Sequence, residues 1–288
     1  MYIICDWGSS KLRAFLLDGE NLVTRRYESD LGVKTLSGDP GRFAAELEKV
    51  FESFSCDSGT EVSLSGMVGS KHGWLDAGYA STPAAPEAIA SLVVAPPGFP
   101  SAKIIPGLKH VRKDGSIDLM RGEEIQVFGL LAAEPDAKKI CLPGTHSKWV
   151  EVEDGKITAF RSYLTGDLFA ALCEQSIFRE QIRSREFDEE SFVAGCSVAY
   201  DGATLDDLFR LRADYVCAKI SAEGFFSYLS GFLIANEIRA EGVFGTVHLC
   251  GSESLMRSYS IALSQIAVSS VSIDSEGATV AGHQDLQL

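Results

Sequence analysis

The sequence predicts an α/β protein made of two related halves, and three observations support this fold class. First, a meander of three short strands followed by a helix occurs twice, near residues 2–54 and near residues 139–180. Second, a turn of glycine and hydroxyl residues joins the first two strands of each meander. Third, 288 residues suffice for two domains, and ligands favour the cleft between two such halves.

The elements of the first half follow from strand alternation, helical spacing and turn residues. Asp18–Asn21 favours a hairpin turn, and Asp39-Pro40 begins a helix with apolar residues at helical spacing. Residues 78–107 are rich in Pro, Gly and Ala, which predicts mostly loop. The expected elements are strands over 2–6, 12–17, 22–27 and 62–65, and helices from 39 to about 54 and over 118–131.

The second half repeats this pattern. A strand enters Pro143-Gly144-Thr145, and the turn Glu153–Gly155 joins the next two strands. Phe225–Leu233 carries aromatic and aliphatic residues at helical spacing, which predicts a core helix. The expected elements are strands over 139–142, 148–152, 156–163, 243–249 and 268–273, helical segments from 165 to about 241, and helices after 252 and over 276–282.

Charge and composition argue against several classes of protein. The formal net charge is −14 and no basic run occurs, which argues against binding to nucleic acid and against binding to a membrane surface. The longest apolar stretches fall short of the roughly 18 residues that a spanning helix needs. The cysteines are scattered and the chain opens without a basic leader, so we expect reduced thiols and a cytoplasmic location.

Three glycine-hydroxyl turns are candidate phosphate sites, although each taken alone is also compatible with an ordinary hairpin or helix cap. Consecutive N–H groups in a tight glycine turn can point at an anion. Asp6, at the end of the preceding strand, is a candidate ligand of Mg²⁺, which usually binds beside phosphates. No Walker-type loop and no G-x-G-x-x-G motif occurs. The candidate phosphate-binding residues are Gly8, Ser9, Ser10 and Lys11, then Gly144, Thr145 and Ser147, then Gly251 and Ser252.

Several segments resemble those of a known family. Asp6–Ser10 followed by Arg13-Ala14-Phe15 is similar to the first phosphate motif of the sugar kinase/Hsp70/actin ATPase superfamily. The resemblance to the 2-dehydro-3-deoxygalactonokinase family runs nearly end to end, with little that is recognisable from about residue 174 to residue 244. The segments that carry it are Gly66–Ser70 with Gly73-Trp74, Ile105–Leu108, Met120–Glu124, Leu142–Val150 and Leu164–Phe169.

The resemblance implies two ribonuclease-H-like domains with ATP and Mg²⁺ in the cleft. It implies transfer of the γ-phosphate to the C6 hydroxyl of 2-dehydro-3-deoxy-D-galactonate, a step of galactonate catabolism. The implied partners are ATP and a small sugar acid, and the oligomeric state stays open, with a homodimer as one alternative. The expected segments are an N-terminal domain (1–117), an interdomain helix (118–136), a C-terminal ATP-binding domain (137–273) and a connecting helix (274–288).

A carboxylate is expected beside the attacking hydroxyl, because phosphoryl transfer otherwise needs mostly positioning and neutralised charge. Glu123 is the first candidate for this base, followed by Asp118 and Glu124. Related kinases often carry Gly-Asp where this chain has Gly122-Glu123, so the identity of the base stays open.

The sugar acid requires a cation for its carboxylate and a close approach of the backbone to its hydroxyls. Arg121 and Arg161 are candidate cations, together with Lys71 and His72. Trp74 is a candidate stacking platform or a core residue. The backbone residues expected near the sugar are Gly66, Met67, Val68, Gly69 and Ser70.

Two other functions stay open at this point. One is a kinase of the same superfamily that acts on 2-dehydro-3-deoxygluconate or another sugar, because a single chiral centre separates the two sugar acids. The other is a nucleotide-binding regulator that has lost transfer. The intact Asp6, the phosphate turns and the acidic cluster near residue 118 speak against the regulator.

Overall fold

The computed structural model describes residues 1–286. Its strands are β1 (Tyr2–Trp7), β2 (Leu12–Leu17), β3 (Val23–Ser29), β4 (Val62–Ser65), β5 (Tyr79–Ser81), β6 (Ala102–Ile104), β7 (Gly107–Val111), β8 (Ile117–Met120), β9 (Lys139–Leu142), β10 (Ser147–Glu153), β11 (Lys156–Tyr163), β12 (Thr246–Gly251) and β13 (Ser269–Asp274). Its helices are α1 (Val33–Leu36), α2 (Pro40–Phe54), α3 (Pro86–Ala90), α4 (Glu123–Ala133), α5 (Thr165–Gln175), α6 (Glu189–Tyr200), α7 (Leu208–Val216), α8 (Phe225–Glu241), α9 (Glu253–Ser264) and α10 (Ser275–Asp285). Short 3₁₀ turns cover Met67–Gly69, Ile177–Glu180 and Leu205–Asp207.

Two five-stranded sheets share one strand order. The first runs β3-β2-β1-β4-β6 and the second β11-β10-β9-β12-β13, while β5, β7 and β8 form a smaller third sheet. β1 pairs in parallel with β4, and β9 pairs in parallel with β12. Because parallel strands end at the same edge of a sheet, the loops that follow each pair lie side by side. The prediction of an α/β fold with a repeated half is confirmed.

The chain divides into two compact units. The first comprises Met1–Ala137, Val150–Phe160 and the described part of the chain from Asp274, and the second comprises Lys138–Trp149 and Arg161–Ile273. Both α4 and α10, which correspond to the predicted interdomain and connecting helices, belong to the first unit. The last two residues of the predicted segment 274–288 lie outside the described residues, and the predicted domain boundaries stay a prediction.

Each unit has its own apolar core. In the first unit the Trp74 ring lies 5.2 Å from Phe99 and 6.3 Å from Phe43, measured between ring centroids. In the second unit α8 is buried on nearly all sides, and Phe225 and Phe232 have no exposed surface, as expected for a core helix. Within residues 1–286 no helix combines the length and the apolar character needed to cross a membrane.

One prediction of secondary structure was wrong. The helix predicted over 118–131 begins only at Glu123, because residues 117–120 alternate in burial as β8 and Gly122, at φ +101°, turns the chain. The stretch 78–107 is mostly loop, as predicted, and its short elements are β5, α3, β6 and the start of β7. None of these elements exceeds five residues, which is too short for a periodic pattern to show.

Candidate active site

The turn after β1 offers backbone N–H groups to a ligand. A hydrogen bond of 2.9 Å from the Gly8 N–H to the carbonyl of Lys11 closes the turn. The N–H groups of residues 32–34 occupy the three carbonyls that precede Lys11. Within residues 1–286 the N–H groups of Ser9 and Ser10 have no acceptor. Because its carbonyls are occupied and its N–H groups are available, the turn favours an anion.

Gly32, which the sequence reasoning missed, allows this arrangement. A Cβ at Gly32 would lie 2.3 Å from the carbonyl carbon of Ser10 and 2.5 Å from the backbone nitrogen of Lys11. No side chain fits in that space. Gly32 follows β3 and precedes α1, so a glycine between the third strand and the next helix was the available signal.

Three chain segments converge on Asp6 at the end of β1. Its carboxylate forms an ion pair with Arg13, the residue opposite it on β2. A Cβ at Gly66 would lie 2.8 Å from the carbonyl oxygen of Trp7 and 3.3 Å from Asp6 Oδ1, and one at Gly122 would lie 3.2 Å from the Gly66 Cα. The loop after β4 reaches Asp6 and the loop after β8 packs against that loop, because both positions are glycines at positive φ.

The surroundings of Asp6 fit Mg²⁺ bound beside phosphate. The carboxylate supplies hard oxygen ligands, and its side chain is partly exposed. Within residues 1–286 no three His, Cys, Asp or Glu side chains form a ready metal cage. Mg²⁺ commonly takes one or two carboxylates and completes its coordination with water and phosphate oxygens. One carboxylate beside an anion-binding turn meets that requirement.

The three candidate bases have different surroundings. Asp118 lies in β8, is 7% exposed and forms an ion pair with Arg112. Glu124 is fully buried, and both of its carboxylate oxygens accept the Gly122 N–H at 2.8 Å. Burial, and then the charge of Glu123, raise the pKa of Glu124 to about 8. Glu123 is the most exposed of the three and accepts a backbone N–H two residues earlier at 2.9 Å.

Arg121 is buried beside the loop that follows β4. Its Nη2 donates to the carbonyl of Gly78 at 2.9 Å, and its Cζ lies 4.4 Å from the centroid of the Tyr79 ring. A Cβ at Gly69 would lie 2.9 Å from Arg121 Nη1. Within residues 1–286, Nε and Nη1 of Arg121 and Oγ of Ser70 are buried without a hydrogen-bond partner.

The predicted sugar-binding segment after β4 folds on itself through its backbone. The Gly69 N–H donates to the carbonyl of Gly66 at 3.2 Å, and the Ser70 N–H donates to that of Met67 at 3.0 Å. The Val68 side chain is in the core. Within the described chain, the N–H groups of Met67 and Val68 have no acceptor. The backbone of this segment, rather than its apolar side chains, is therefore available to a ligand.

The turn after β9 is built like the turn after β1. A Cβ at Gly166 would lie 2.5 Å from the carbonyl oxygen of Gly144, so Gly166 has the same part here as Gly32 in the first unit. The Asp167 N–H donates to the carbonyl of Thr145 at 2.9 Å. The N–H groups of Gly144 and Thr145 have no acceptor within residues 1–286. This turn also favours an anion.

The third predicted turn lies next to the second. A Cβ at Gly251 would lie 3.0 Å from the carbonyl oxygen of Pro143, as the parallel pairing of β9 and β12 requires. Ser252 is the N-cap residue of α9, is exposed and makes no side-chain capping bond. The structure therefore brings the second and third turns together in the second unit.

Ser147 is not available to a phosphate, which corrects its predicted role. It has no exposed surface, and its Oγ lies 2.8 Å from the hydroxyl of Tyr259. The buried carboxylate of Glu237 accepts hydrogen bonds from Tyr259 at 2.9 Å, from Trp149 Nε1 at 2.7 Å and from Thr165 Oγ1. Ser147 thus belongs to a buried network centred on Glu237, a residue that the sequence reasoning missed.

Three further predicted side chains are packed against or paired with other side chains. Trp74 is 6% exposed within the aromatic core, so it is not available to stack on a sugar. Arg161 is exposed on β11, with its Cζ 4.9 Å from the centroid of the Tyr163 ring. Lys11 is exposed and forms an ion pair with Glu28, which raises the pKa of the lysine.

Comparison with known proteins identifies the family. A family model described as 2-keto-3-deoxy-galactonokinase matches residues 6–286. A 2-dehydro-3-deoxygalactonokinase of Escherichia coli (strain K12) is 35% identical over 239 residues, which cover 82% of this chain and 79% of that protein. A crystal structure of a Sinorhizobium meliloti protein assigned as a 2-dehydro-3-deoxygalactonokinase has a TM-score of 0.91 at 30% identity and covers 99% of this chain and 98% of that one. A Porphyromonas gingivalis protein assigned as an N-acetylglucosamine kinase shares the fold, with a TM-score of 0.52 at 15% identity over all of both chains. The predicted resemblance is confirmed, and the chain belongs to the 2-keto-3-deoxy-galactonokinase family.

Proposed function

We propose that the protein is an ATP-dependent kinase that transfers the γ-phosphate to the C6 hydroxyl of 2-dehydro-3-deoxy-D-galactonate. Its products are ADP and the 6-phosphorylated sugar acid, and the hydroxyl proton passes to a base. The observation that carries this proposal is the convergence of Asp6, Gly66 and Gly122 beside a turn with available N–H groups. Membership of the family supports the choice of phosphate donor and acceptor.

The two anion-binding turns are the proposed binding sites for the phosphates of ATP. The N–H groups of Ser9 and Ser10, and those of Gly144 and Thr145, donate to phosphate oxygens. Mg²⁺ held by Asp6 would neutralise charge on the phosphates during transfer. Arg13 orients the Asp6 carboxylate from the neighbouring strand. In the same proposal Gly251 and Ser252 lie at the adenosine, and the reaction takes place in the cytoplasm.

Glu123 is the proposed base. It is the least buried of the three candidate carboxylates, and it follows Gly122, which packs against Gly66 next to Asp6. Asp118 is committed to its ion pair with Arg112, and Glu124 holds the Gly122 N–H. Glu124 is therefore a positioning residue, because it fixes Gly122, the glycine that packs against Gly66 next to Asp6.

The test is ADP release with Mg²⁺ against a panel of acceptors: the galactonate compound, its gluconate epimer and neutral ketoses. We expect turnover on the galactonate compound alone. Preference for another acceptor would replace the proposed substrate, and ATP binding without turnover would favour the regulator.

The role of Glu123 is tested in the same assay. We expect Glu123→Gln to lower kcat by about 10²–10⁴-fold at unchanged ATP affinity. Glu48→Gln, an exposed glutamate on α2, is the matched control and should leave kcat unchanged. Full activity in Glu123→Gln would remove this residue as the base.

A further inference from the structure

A group of buried donors around Arg121 has no partner and no part in the transfer step. Arg121 is 9% exposed and Ser70 is 7% exposed. Within residues 1–286, Nε and Nη1 of the arginine and Oγ of the serine lack hydrogen-bond partners. A Cβ at Gly69 would lie 2.9 Å from Arg121 Nη1, so the guanidinium lies against the backbone of the residue directly before Ser70. Buried polar groups are nearly always paired, so unpaired ones in one place indicate an acceptor from a ligand.

The charge of this pocket specifies an anion. The only acceptor of the Arg121 side chain within the described chain is the carbonyl of Gly78, which carries no full charge. Two acids lie nearby: Glu123, which accepts the backbone N–H of Arg121, and Glu124, whose pKa of about 8 keeps it largely protonated at neutral pH. Within residues 1–286 no hydrogen bond joins the guanidinium to a carboxylate, and its planar donors suit one. Of the cations considered from the sequence, Lys71, His72 and Arg161 are all exposed, so none of them replaces Arg121.

We propose that Arg121 and Ser70 bind the carboxylate of the sugar acid and that the Tyr79 ring covers this subsite. The identity of the substrate rests on the proposed function. The Tyr79 ring lies over the guanidinium and is 37% exposed, so a shift of this ring gives the carboxylate access to the donors. Gly107 leaves room for the ring, because a Cβ there would lie 2.8 Å from two of its carbon atoms. The subsite makes the enzyme select sugar acids over neutral sugars.

The experiment is calorimetric binding of 2-dehydro-3-deoxygalactonate and of its carboxamide to the full-length protein without ATP. We expect the wild type to bind the acid about 30-fold or more tightly than the carboxamide. Arg121→Gln should weaken binding of the acid by about 100-fold and that of the carboxamide by less than about 3-fold. Ser70→Ala should weaken binding of the acid by about 5-fold and keeps the bond from Arg121 to Gly78. Arg26→Gln, which alters an exposed arginine paired with Glu276, is the control and should change neither affinity.

The outcomes separate this inference from the proposed function. If the wild type, Arg121→Gln and Ser70→Ala all prefer the acid over the carboxamide to the same extent, the subsite is overturned, even if the enzyme turns over normally. No binding of the acid by the wild type would also overturn it. If Arg121→Gln raises only the KM for ATP, the donors are assigned to a nucleotide phosphate instead. Binding of the acid that depends on Arg121, without ATP turnover, would support the subsite and contradict only the kinase activity.

Discussion

The turns after β1 and after β9 occupy the same place in the same strand order, and a glycine after the third strand holds each of them. Gly32 holds the first turn and Gly166 the second, each so close that a Cβ would overlap the backbone. The strands before the two turns differ, since β1 ends next to Asp6 whereas β9 leads through Leu142 into Pro143. The repeat therefore supplies backbone for an anion in both halves, and the first half adds the carboxylate of Asp6, the proposed metal ligand.

The two turns also differ in how firmly they are held. Three N–H groups of residues 32–34 occupy the carbonyls of the first turn, whereas the Asp167 N–H occupies one carbonyl of the second. Ser9 and Ser10 stay at the surface of the first turn, but Ser147 turns into the network of Glu237. A shared strand order thus fixes the backbone of both turns and leaves their side chains to specialise.

Removal of the carboxylate is expected to have the largest effect. Asp6→Ala should lower kcat/KM by at least about 10³-fold, because the proposed ligand of Mg²⁺ is lost, and should leave the melting temperature nearly unchanged. The measurement is ADP release over a Mg²⁺ titration. Asp136→Ala, at an exposed position between α4 and β9, should behave like the wild type. Near-normal turnover in Asp6→Ala would show that the two halves do not differ in metal binding.

The glycines test whether the two turns are held alike. Gly32→Ala should raise KM for ATP by about 10-fold and destabilise the protein by about 2 kcal/mol, because the Cβ displaces a turn with three hydrogen bonds. Gly166→Ala should have the same effects to a smaller extent. Steady-state kinetics and urea unfolding measure both. Gly19→Ala, where a Cβ would meet no atom within 4 Å, is the control. A larger effect on KM at Gly166 than at Gly32 would reverse the ranking.

The pH dependence of stability tests the buried carboxyl group of Glu124. The folded protein keeps the Glu124 proton up to a pKa of about 8, whereas the unfolded chain releases it near 4.5. The unfolded state therefore binds fewer protons between about pH 5 and pH 8, and the free energy of unfolding falls as pH rises through this window. Glu124→Gln does not titrate at this position, so its free energy of unfolding relative to that of the wild type should rise by about 3–4 kcal/mol from pH 5 to pH 8.

Urea unfolding at pH 5, 6.5 and 8 measures this gain. The buried His283, whose pKa is lowered to about 3 by burial, contributes the opposite trend below pH 6.5. This contribution is common to both proteins and cancels in the difference. Identical pH profiles of Glu124→Gln and the wild type would contradict a raised pKa.

The hydroxyls of the second turn should show the smallest effects. Thr145→Ala should raise KM for ATP by about 3-fold, because an exposed hydroxyl is lost beside the phosphates. Ser147→Ala should leave KM unchanged and destabilise the protein by about 1 kcal/mol, because a buried hydrogen bond to Tyr259 is lost. Kinetics and thermal unfolding of the two variants form a matched pair. An effect on KM in Ser147→Ala alone would restore the original assignment of Ser147.

Much of the candidate site could be predicted because its residues lie in short local patterns. Gly8–Lys11 and Gly144-Thr145 were found as turns, and the structure places them at the ends of β1 and β9. The prediction that a helix begins at Asp118 was wrong. The order of apolar and charged residues in β8 also fits the start of a helix, so the sequence alone does not separate the two. Trp74 and Ser147 could not be separated from ligand contacts, since their burial depends on residues distant in the chain.

The sequence by itself determined the α/β class, the repeated meander, the three glycine-hydroxyl turns and the family, because these depend on local spacing and on motifs. Only the tertiary structure decided that Gly32 and Gly166 hold the turns and that Gly66 and Gly122 meet beside Asp6. It also showed that Nε and Nη1 of Arg121 are unpaired within the described residues. The physical reason is that close approach and burial join segments far apart in the chain. The periodicity of the sequence shows neither where a missing Cβ allows such a contact nor which buried donor is unpaired.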